Sequence, residues 1–573
     1  MTEKRAPATG TGPGNASSRP AFAFDPRWRR LEALFLLLST SIRLLQLRAT
    51  NLVPDEAYYW DWSRRPSLGY YDQGPFIAYL IRTTTAVFGT NEFGVRIGVL
   101  LCSLGAIILA GYLARRCFSP LAGFLTVLLL GTTPLMEVGS IIATYDPPLV
   151  FFWMAAVVLL ERALFDYTDR PDSVECSRMW LLAGVATGLG FLSKHTMLIL
   201  APSLVLFLAL SPRHRFWLTR PAPYLAFATA IVMYSGVIYW NAHHHWWTFG
   251  HLLFLTHNGV ANNQPWKRVG DFVASQLLLI GPVMFFGLFA GSARVRQWLR
   301  ELQPLSNPGQ TINEPVTEEV RQSGVKLFLF CMGWPALALF VLMAFRSKVQ
   351  GNWAVFAWPA PSILWAALLA ERWGRVGVVD GTAAPARGVT RAKLLVFSAA
   401  LTGVLLSTVM VFPAIAFKLG LKLKADNDQT NQFVGWDQTM ARVEQVRREM
   451  EGGPTGKEHR PVFLVGSGYQ YCAMMGFYLP DRPFTYDMFL HYRLDMYAAY
   501  VENLTAKIGE DAVFINENRS EDADLRKVFT EVTWDPPLEI YRKPYYSGPI
   551  RTVYIARCHR YRFNPGTSWH VGG

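Results

Sequence analysis

Asp55-Glu56-Ala57-Tyr58-Tyr59-Trp60 and Gly69-Tyr70-Tyr71-Asp72-Gln73-Gly74-Pro75 follow directly on the first long apolar stretch of the chain. They concentrate acids and aromatic rings at what that stretch makes a membrane edge. The stretch opens near Leu31. Arg27, Arg29 and Arg30 precede it, Arg43 lies within it and no small-residue cleavage site follows, so it reads as an uncleaved signal anchor with a cytoplasmic N-terminus. The two motifs then lie on the outer face.

The composition agrees with a membrane setting. With 51% hydrophobic residues, 17% charged residues and 19 Trp in 573, the chain is too apolar and aromatic for a water-soluble protein of this length. It is expected to be a polytopic α-helical membrane protein. The net charge of +13 does not argue for nucleic acid, because the arginines cluster between apolar stretches, where retention of positive loops on the cytoplasmic side explains them. Residues 1–25 are rich in Gly, Pro, Ser and Thr and are expected to form a disordered cytoplasmic tail.

At about 20 apolar residues per crossing, spans are predicted near 31–48, 93–114, 120–135, 147–165, 179–192, 196–211, 221–240, 272–290, 326–345, 353–370 and 394–417, about eleven in all. Starting inside, every inward loop is basic: Arg115 and Arg116; Arg162, Arg170 and Arg178; Arg213, Arg215 and Arg220; Arg294, Arg296 and Arg300; Arg372, Arg375, Arg387, Arg391 and Lys393. The tightest connection is Ser193-Lys194-His195, and a single bent helix there would invert every later loop. The short apolar run 75–90 is expected to lie in the interface rather than cross it.

Residues 26–417 thus form the membrane domain, and the character changes at 418–573. Charges become frequent there. The strand-like runs Pro461-Val462-Phe463-Leu464-Val465 and Ala512-Val513-Phe514-Ile515 flank a helical-looking 494–507, which predicts a small outer α/β domain. Cys472 and Cys558 are the only cysteines in that domain. An oxidising compartment permits them to pair, but spacing alone cannot bring their Cα atoms together.

Asp55 and Glu56 have an ordinary explanation as the acidic first turn of a helix. The chemical alternative makes Asp55 a general base that takes the proton of an acceptor hydroxyl while Tyr58, Tyr59 and Trp60 line a sugar-sized cleft. Asp146 in Ala143-Thr144-Tyr145-Asp146-Pro147-Pro148 is equally a helix cap before proline or a second acid on the same side. Asp72 is a third carboxylate, and three acids near one interface also suit a divalent cation.

These segments, with Gly89-Thr-Asn-Glu-Phe-Gly-Val-Arg96, Leu192-Ser-Lys-His195, Trp240-Asn-Ala-His-His-His245-Trp246 and Lys348-Val-Gln-Gly-Asn-Trp353, resemble in order and spacing the bacterial family 39 type of glycosyltransferase. That group is similar to dolichyl-phosphate-mannose protein mannosyltransferases, the aminoarabinose transferase of lipid A and Rgt-like enzymes. The resemblance covers most of residues 31–370. It implies a GT-C glycosyltransferase fold, a polyprenyl-phosphate sugar donor, and transfer on the periplasmic face of the inner membrane to an envelope acceptor, whether glycolipid, polysaccharide or protein. Carried over, Asp55 is the acceptor-activating acid, Glu56 its catalytic neighbour and Asp146 the second acid. The implied cleft is lined by Tyr58, Tyr59, Tyr71, Asp72, Gln73, Asn241, His244, Asn352 and Trp353.

Relatives usually carry a basic residue where this chain has Gln73 before Gly74-Pro75. The donor phosphate then falls to Lys348, with Arg346 and Lys194 beside it, against the alternative that Arg346 and Lys348 snorkel to the interface. His243-His244-His245 cannot all face one ion on a regular element, so at most one of them is a ligand, and an aromatic belt with Trp246 and Trp247 explains the run as well. For a metal, the candidates are Glu56, Asp72 and His244. No Walker-type ATP motif is present, so the activated donor must supply the energy. The competing reading is a lipid or glycolipid transporter, which requires ionisable residues at the midplane of several spans; here the acids fall in outward loops.

Overall fold

The computed structural model describes residues 26–257, 264–303, 317–374, 377–379, 382–384, 387–418, 420, 424–452, 461–487, 495–497 and 504–562. The expected N-terminal tail lies outside them, as does most of the helix expected over 494–507; of that segment, Met496 and Tyr497 are helical and Leu504–Lys507 forms a short 3-10 turn.

The helices run in the order α1 (Pro26–Gln46), α2 (Pro54–Arg64), α3 (Phe76–Phe88), α4 (Glu92–Cys117), α5 (Pro120–Gly131), α6 (Pro134–Ile141), α7 (Asp146–Phe165), α8 (Val174–Ser193), α9 (Leu200–Leu210), α10 (Pro221–His243), α11 (Trp247–His257), α12 (Pro265–Ile280), α13 (Pro282–Ser292), α14 (Val295–Leu302), α15 (Glu318–Cys331), α16 (Trp334–Ala344), α17 (Pro359–Gly374), α18 (Arg387–Val411) and α19 (Pro413–Lys418). Among the described residues, five stretches are long and apolar enough to cross a bilayer: Glu92–Cys117, Asp146–Phe165, Pro221–His243, Glu318–Ala344 and Gly388–Val411. Counting each of three bent pairs as one span brings the number up to 8, against about eleven expected.

The difference has local causes. The expected span 272–290 is broken by 99° after Ile280, where Gly281 takes φ 83° and Pro282 offers no N–H to continue the helix. The spans expected at 31–48 and 179–192 are the helices α1 and α8, which fall outside the eight, and the one at 196–211 is a short apolar segment, His195–Leu210. Between α8 and α9 the backbone does break: Lys194 is extended and a 3-10 turn follows. α3, at 13 residues, is too short to cross.

Beyond α19 come α20 (Trp436–Met450), β3 (Val462–Gly466), α21 (Tyr469–Tyr478), β4 (Thr485–Asp487), β5 (Asp511–Asn516), β6 (Phe529–Trp534), β7 (Leu538–Ile540) and β8 (Arg551–Tyr561), numbered after a two-stranded ribbon, β1 (Gly377–Val379) with β2 (Thr382–Ala384). The main sheet has the order β4-β3-β5-β8-β6, with β3, β4 and β5 parallel and β8 antiparallel to both of its neighbours. Alternation along the strands builds two separate cores. Leu464, Val513 and Ile515 face α21 and the aromatics of α2, whereas Phe463, Val465, Phe514 and Ala556 face the other way. Cys472 belongs to the first core and Cys558 to the second, so they lie across the sheet as free thiols and do not pair.

One apolar core therefore joins the two halves of the chain. Tyr58, Tyr59, Trp60, Trp62, Tyr70 and Tyr71 pack into the same cluster as Trp436, Tyr471 and Met475 of the C-terminal domain.

Candidate active site

The site begins with the start of α2. Pro54 takes the first helical position, where its missing N–H costs nothing, and Asp55 and Glu56 occupy the first turn, where the helix dipole favours negative charge. Successive residues on a helix point about 100° apart, and this sends the two acids to opposite fates.

Glu56 turns inward and is fully buried. Arg96 of α4 grips it with two bonds, Nε to Oε1 at 2.8 Å and Nη2 to Oε2 at 2.6 Å. Glu56 also accepts the N–H groups of Val53 (3.0 Å) and Ala143 (2.7 Å). Arg96 spends its remaining donors on the carbonyls of Leu47, Thr50 and Asn51. In this geometry Glu56, expected as a catalytic neighbour and a metal candidate, is engaged as a structural anchor. Its oxygens are taken by partners that fasten α2 and α4 to the loops before α2 and α7.

Asp55 turns outward and is exposed. The hydroxyl of Tyr469, the first residue of α21, donates to its Oδ1 at 2.8 Å. Around it stands a wall of rings: Tyr58 lies 4.4 Å from Tyr469, and Tyr59 lies 5.5 Å from Tyr145. Tyr58 donates to Asp72 Oδ2 at 2.8 Å and accepts the N–H of Met496 at 2.9 Å. Burial first, and the Asp72 charge second, push the Tyr58 hydroxyl up, which keeps it a donor. Asp72 also sits 3.5 Å from His251 Nε2, and His251 packs on Tyr71.

Asp146 opens α7 at the same seam. It is 6% exposed, Lys194 Nζ lies 2.6 Å from its Oδ1, and Asn352 Nδ2 donates to Oδ2 at 2.7 Å. In this geometry Asp146, expected as the second acid, is held on both oxygens. Lys194 is committed to the same pair and lies 4.9 Å from the Tyr145 ring. The tight connection around it is locked from outside: Gly74 approaches Leu192 so closely that a Cβ would stand 2.1 Å from the Leu192 carbonyl oxygen, and Gln73 Oε1 accepts the His195 N–H at 3.5 Å.

The strand of donors and rings thus includes Asp55, Tyr58, Tyr59, Tyr71, Asp72, Gln73, Asp146, Lys194 and Asn352. Arg346 and Lys348 are exposed on the loop that ends in Asn352. Arg268 of α12, not anticipated from sequence, donates to the carbonyls of Ala344 and Phe345 at the end of α16, bringing a third cation to that loop. Three expected cleft residues do other work. Asn241 is buried and caps the turn that follows by accepting the Thr248 N–H at 3.0 Å. His244, a metal candidate, stacks on Trp240 at 4.1 Å with Nδ1 2.8 Å from the Trp240 carbonyl. Trp353 packs against the core of the membrane domain. Among the described residues no group of three or more His, Cys, Asp or Glu is arranged to hold a metal ion.

The fold matches that of known proteins. ArnT from Cupriavidus metallidurans superposes with a TM-score of 0.57 in both its apo and its undecaprenyl-phosphate-bound crystal structures, covering 92–93% of this chain and 98% of that one at 16–17% identity. The fold is GT-C. Residues 72–240 match the family described as dolichyl-phosphate-mannose-protein mannosyltransferase. A lipid A galacturonosyltransferase of Rhizobium johnstonii is 28% identical over 338 residues, 58% of this chain and 63% of the relative. An undecaprenyl phosphate-alpha-4-amino-4-deoxy-L-arabinose arabinosyl transferase of Pseudomonas aeruginosa is 33% identical over 166 residues, 27% of this chain and 30% of the relative. The matched segments therefore span less than two thirds of either relative. Asp55 meets the C-terminal domain through Tyr469, and Asp146 meets Lys194 at the start of α7.

Proposed function

We propose that the chain is a bacterial inner-membrane glycosyltransferase that moves a sugar from a polyprenyl-phosphate donor to a hydroxyl of an envelope acceptor on the periplasmic face, with the N-terminus cytoplasmic and the C-terminal domain periplasmic. The observation that carries this reading is the contrast among the acids. Glu56 and Asp146 are buried and held by cations, while Asp55 is exposed, accepts the Tyr469 hydroxyl and stands near tyrosine rings; the exposed Arg346 and Lys348 precede Asn352, which bonds Asp146. The relatives support the donor class, since one is named an undecaprenyl phosphate sugar transferase and another a lipid A galacturonosyltransferase.

In the step proposed, Asp55 takes the proton of the acceptor hydroxyl as its oxygen attacks the anomeric carbon. The bond from that carbon to the phosphate oxygen breaks, and the electron pair leaves on the polyprenyl phosphate. Arg346, Lys348 and Arg268 meet the charge that develops there, an electrostatic contribution that is largest where water is thinned. Asp55 acts here as a base and no covalent sugar-enzyme bond is invoked, so a single displacement with inversion at the anomeric carbon is expected. The test supplies purified protein in nanodiscs with polyprenyl-phosphate-linked galacturonate, aminoarabinose or mannose and with lipid A. Sugar on lipid A with inverted configuration, together with free polyprenyl phosphate, supports the reading. Donor that crosses the bilayer uncleaved would instead mark a transporter.

A further inference from the structure

The C-terminal domain is joined to the membrane domain by two tyrosines at opposite ends of one helix, and the two contacts differ in kind. Tyr478, the last residue of α21, accepts the Leu52 N–H at 2.7 Å and donates to Glu92 Oε1 at 2.9 Å; neither partner lines the cleft. Tyr469, the first residue, donates to Asp55. Its placement is built into the backbone. β3 ends in Gly466-Ser467-Gly468, Gly468 takes φ 96°, a conformation suited to glycine, and its N–H is fixed by Asp487 Oδ1 at 2.7 Å. Ser467 N–H bonds the Ile515 carbonyl at 3.0 Å, so the turn is tied to both parallel strands at the carboxyl edge of the sheet.

The ring of Tyr469 is held as well as its root. It packs 4.4 Å from Tyr58, whose hydroxyl is pinned between Asp72 and the Met496 N–H. A phenol fixed at both ends and aimed at an exposed carboxylate is poor as a docking contact, because an exposed hydrogen bond adds little to stability, but it is well suited to orienting that carboxylate.

We propose that Tyr469 is a positioning residue for catalysis: the C-terminal domain completes the active site by holding the Asp55 carboxylate in the rotamer that faces the acceptor hydroxyl. This rests on the reading of Asp55 as the base. A hydrogen bond donated to the carboxylate favours its charged form, so losing it raises the pH at which the base becomes protonated. The acid limb of the rate profile must then move toward higher pH.

The experiment compares full-length wild type, Tyr469→Phe, Tyr478→Phe and Asp55→Asn in nanodiscs, with polyprenyl-phosphate-linked galacturonate and lipid A as probes and release of free polyprenyl phosphate as readout. Tyr469→Phe keeps the ring against Tyr58 and removes only the hydroxyl. The expected result is a kcat lowered by about 10-fold at neutral pH, an unchanged donor KM, and an acid limb moved up by roughly half to one pH unit. Tyr478→Phe is expected to keep the wild-type profile. An unmoved limb in Tyr469→Phe overturns the proposal, as does an equal loss in both tyrosine variants, which would make α21 a structural clamp. If Asp55→Asn retains wild-type turnover, the base assignment itself fails. If Asp55→Asn is inactive while Tyr469→Phe equals wild type, only the positioning role fails.

Discussion

Changing Glu56 to Gln separates the two roles that the Asp-Glu motif offers. The side chain keeps its shape and one acceptor oxygen, so Val53 or Ala143 still finds a partner. What it loses is charge, and Arg96 is left 1% exposed with no carboxylate against its guanidinium. Removing one partner of a buried pair costs about 3–5 kcal/mol, because the remaining charge stays out of water. The carbonyls of Leu47, Thr50 and Asn51 offset part of this, since they already accept three of the Arg96 donors; about 3 kcal/mol is therefore the expected loss. At roughly 2–4 °C per kcal/mol for a large domain, the unfolding midpoint followed by tryptophan fluorescence in nanodiscs should fall by about 6–12 °C. Arg96→Met should fall as far, and the double variant Glu56→Gln, Arg96→Met by less than the sum, because each single change already removes the pair. A Glu56→Gln protein with a wild-type midpoint and no transfer activity would refute this reasoning and return Glu56 to catalysis.

Other outcomes follow from the same geometry. Lys348→Ala, at an exposed position, should raise the donor KM about 10-fold and leave the unfolding midpoint unchanged; Lys194→Met, which strands the buried Asp146, should lower the midpoint together with the rate. In the C-terminal domain, burial pushes the Asp487 carboxyl up to about 6, and burial followed by the Asp487 charge pushes Asp495 well above its ordinary value. Raised folded values mean that the folded state binds the extra protons. Their contribution is full below about pH 4 and is lost as pH rises through 6, at up to about 1.4 kcal/mol per unit for each proton. The midpoint of wild type should therefore fall from pH 5 to 7.5 in buffered melts, and Asp495→Asn should flatten that fall.

The sequence made the class legible and pointed to a candidate site because both readings rest on short-range signals. Hydrophobic runs of bilayer length mark the helices, and the motif at 55–75 marks the seam. Bends were illegible where hydropathy is blind to backbone: 272–290 is uniformly apolar, yet Gly281-Pro282 turns it by 99°. Among the candidate site residues, Asp55 and Asp72 stand out by type and position, but the different settings of Asp55 and Glu56 depend on Arg96, 40 residues away in sequence. Asp146 looked equally open until Lys194 and Asn352 closed on it. Tyr469 gave no signal of its own, since its meaning comes from a domain packed across more than 400 residues. His251 was obscured by the more conspicuous run at 243–245, whose members face different partners: Tyr239 for His243, Trp240 for His244 and Trp247 for His245.

The central claim is that Asp55 activates the acceptor for attack on a lipid-linked sugar. Its most direct test is a single-turnover comparison of wild type and Asp55→Asn at saturating donor and acceptor, with free polyprenyl phosphate followed by mass spectrometry and the unfolding midpoint measured on the same samples. A rate lower by about 10²–10⁴-fold at an unchanged midpoint is expected, since an exposed carboxylate that acts as the base contributes to chemistry and little to stability. Wild-type release of polyprenyl phosphate by a folded Asp55→Asn protein would contradict it.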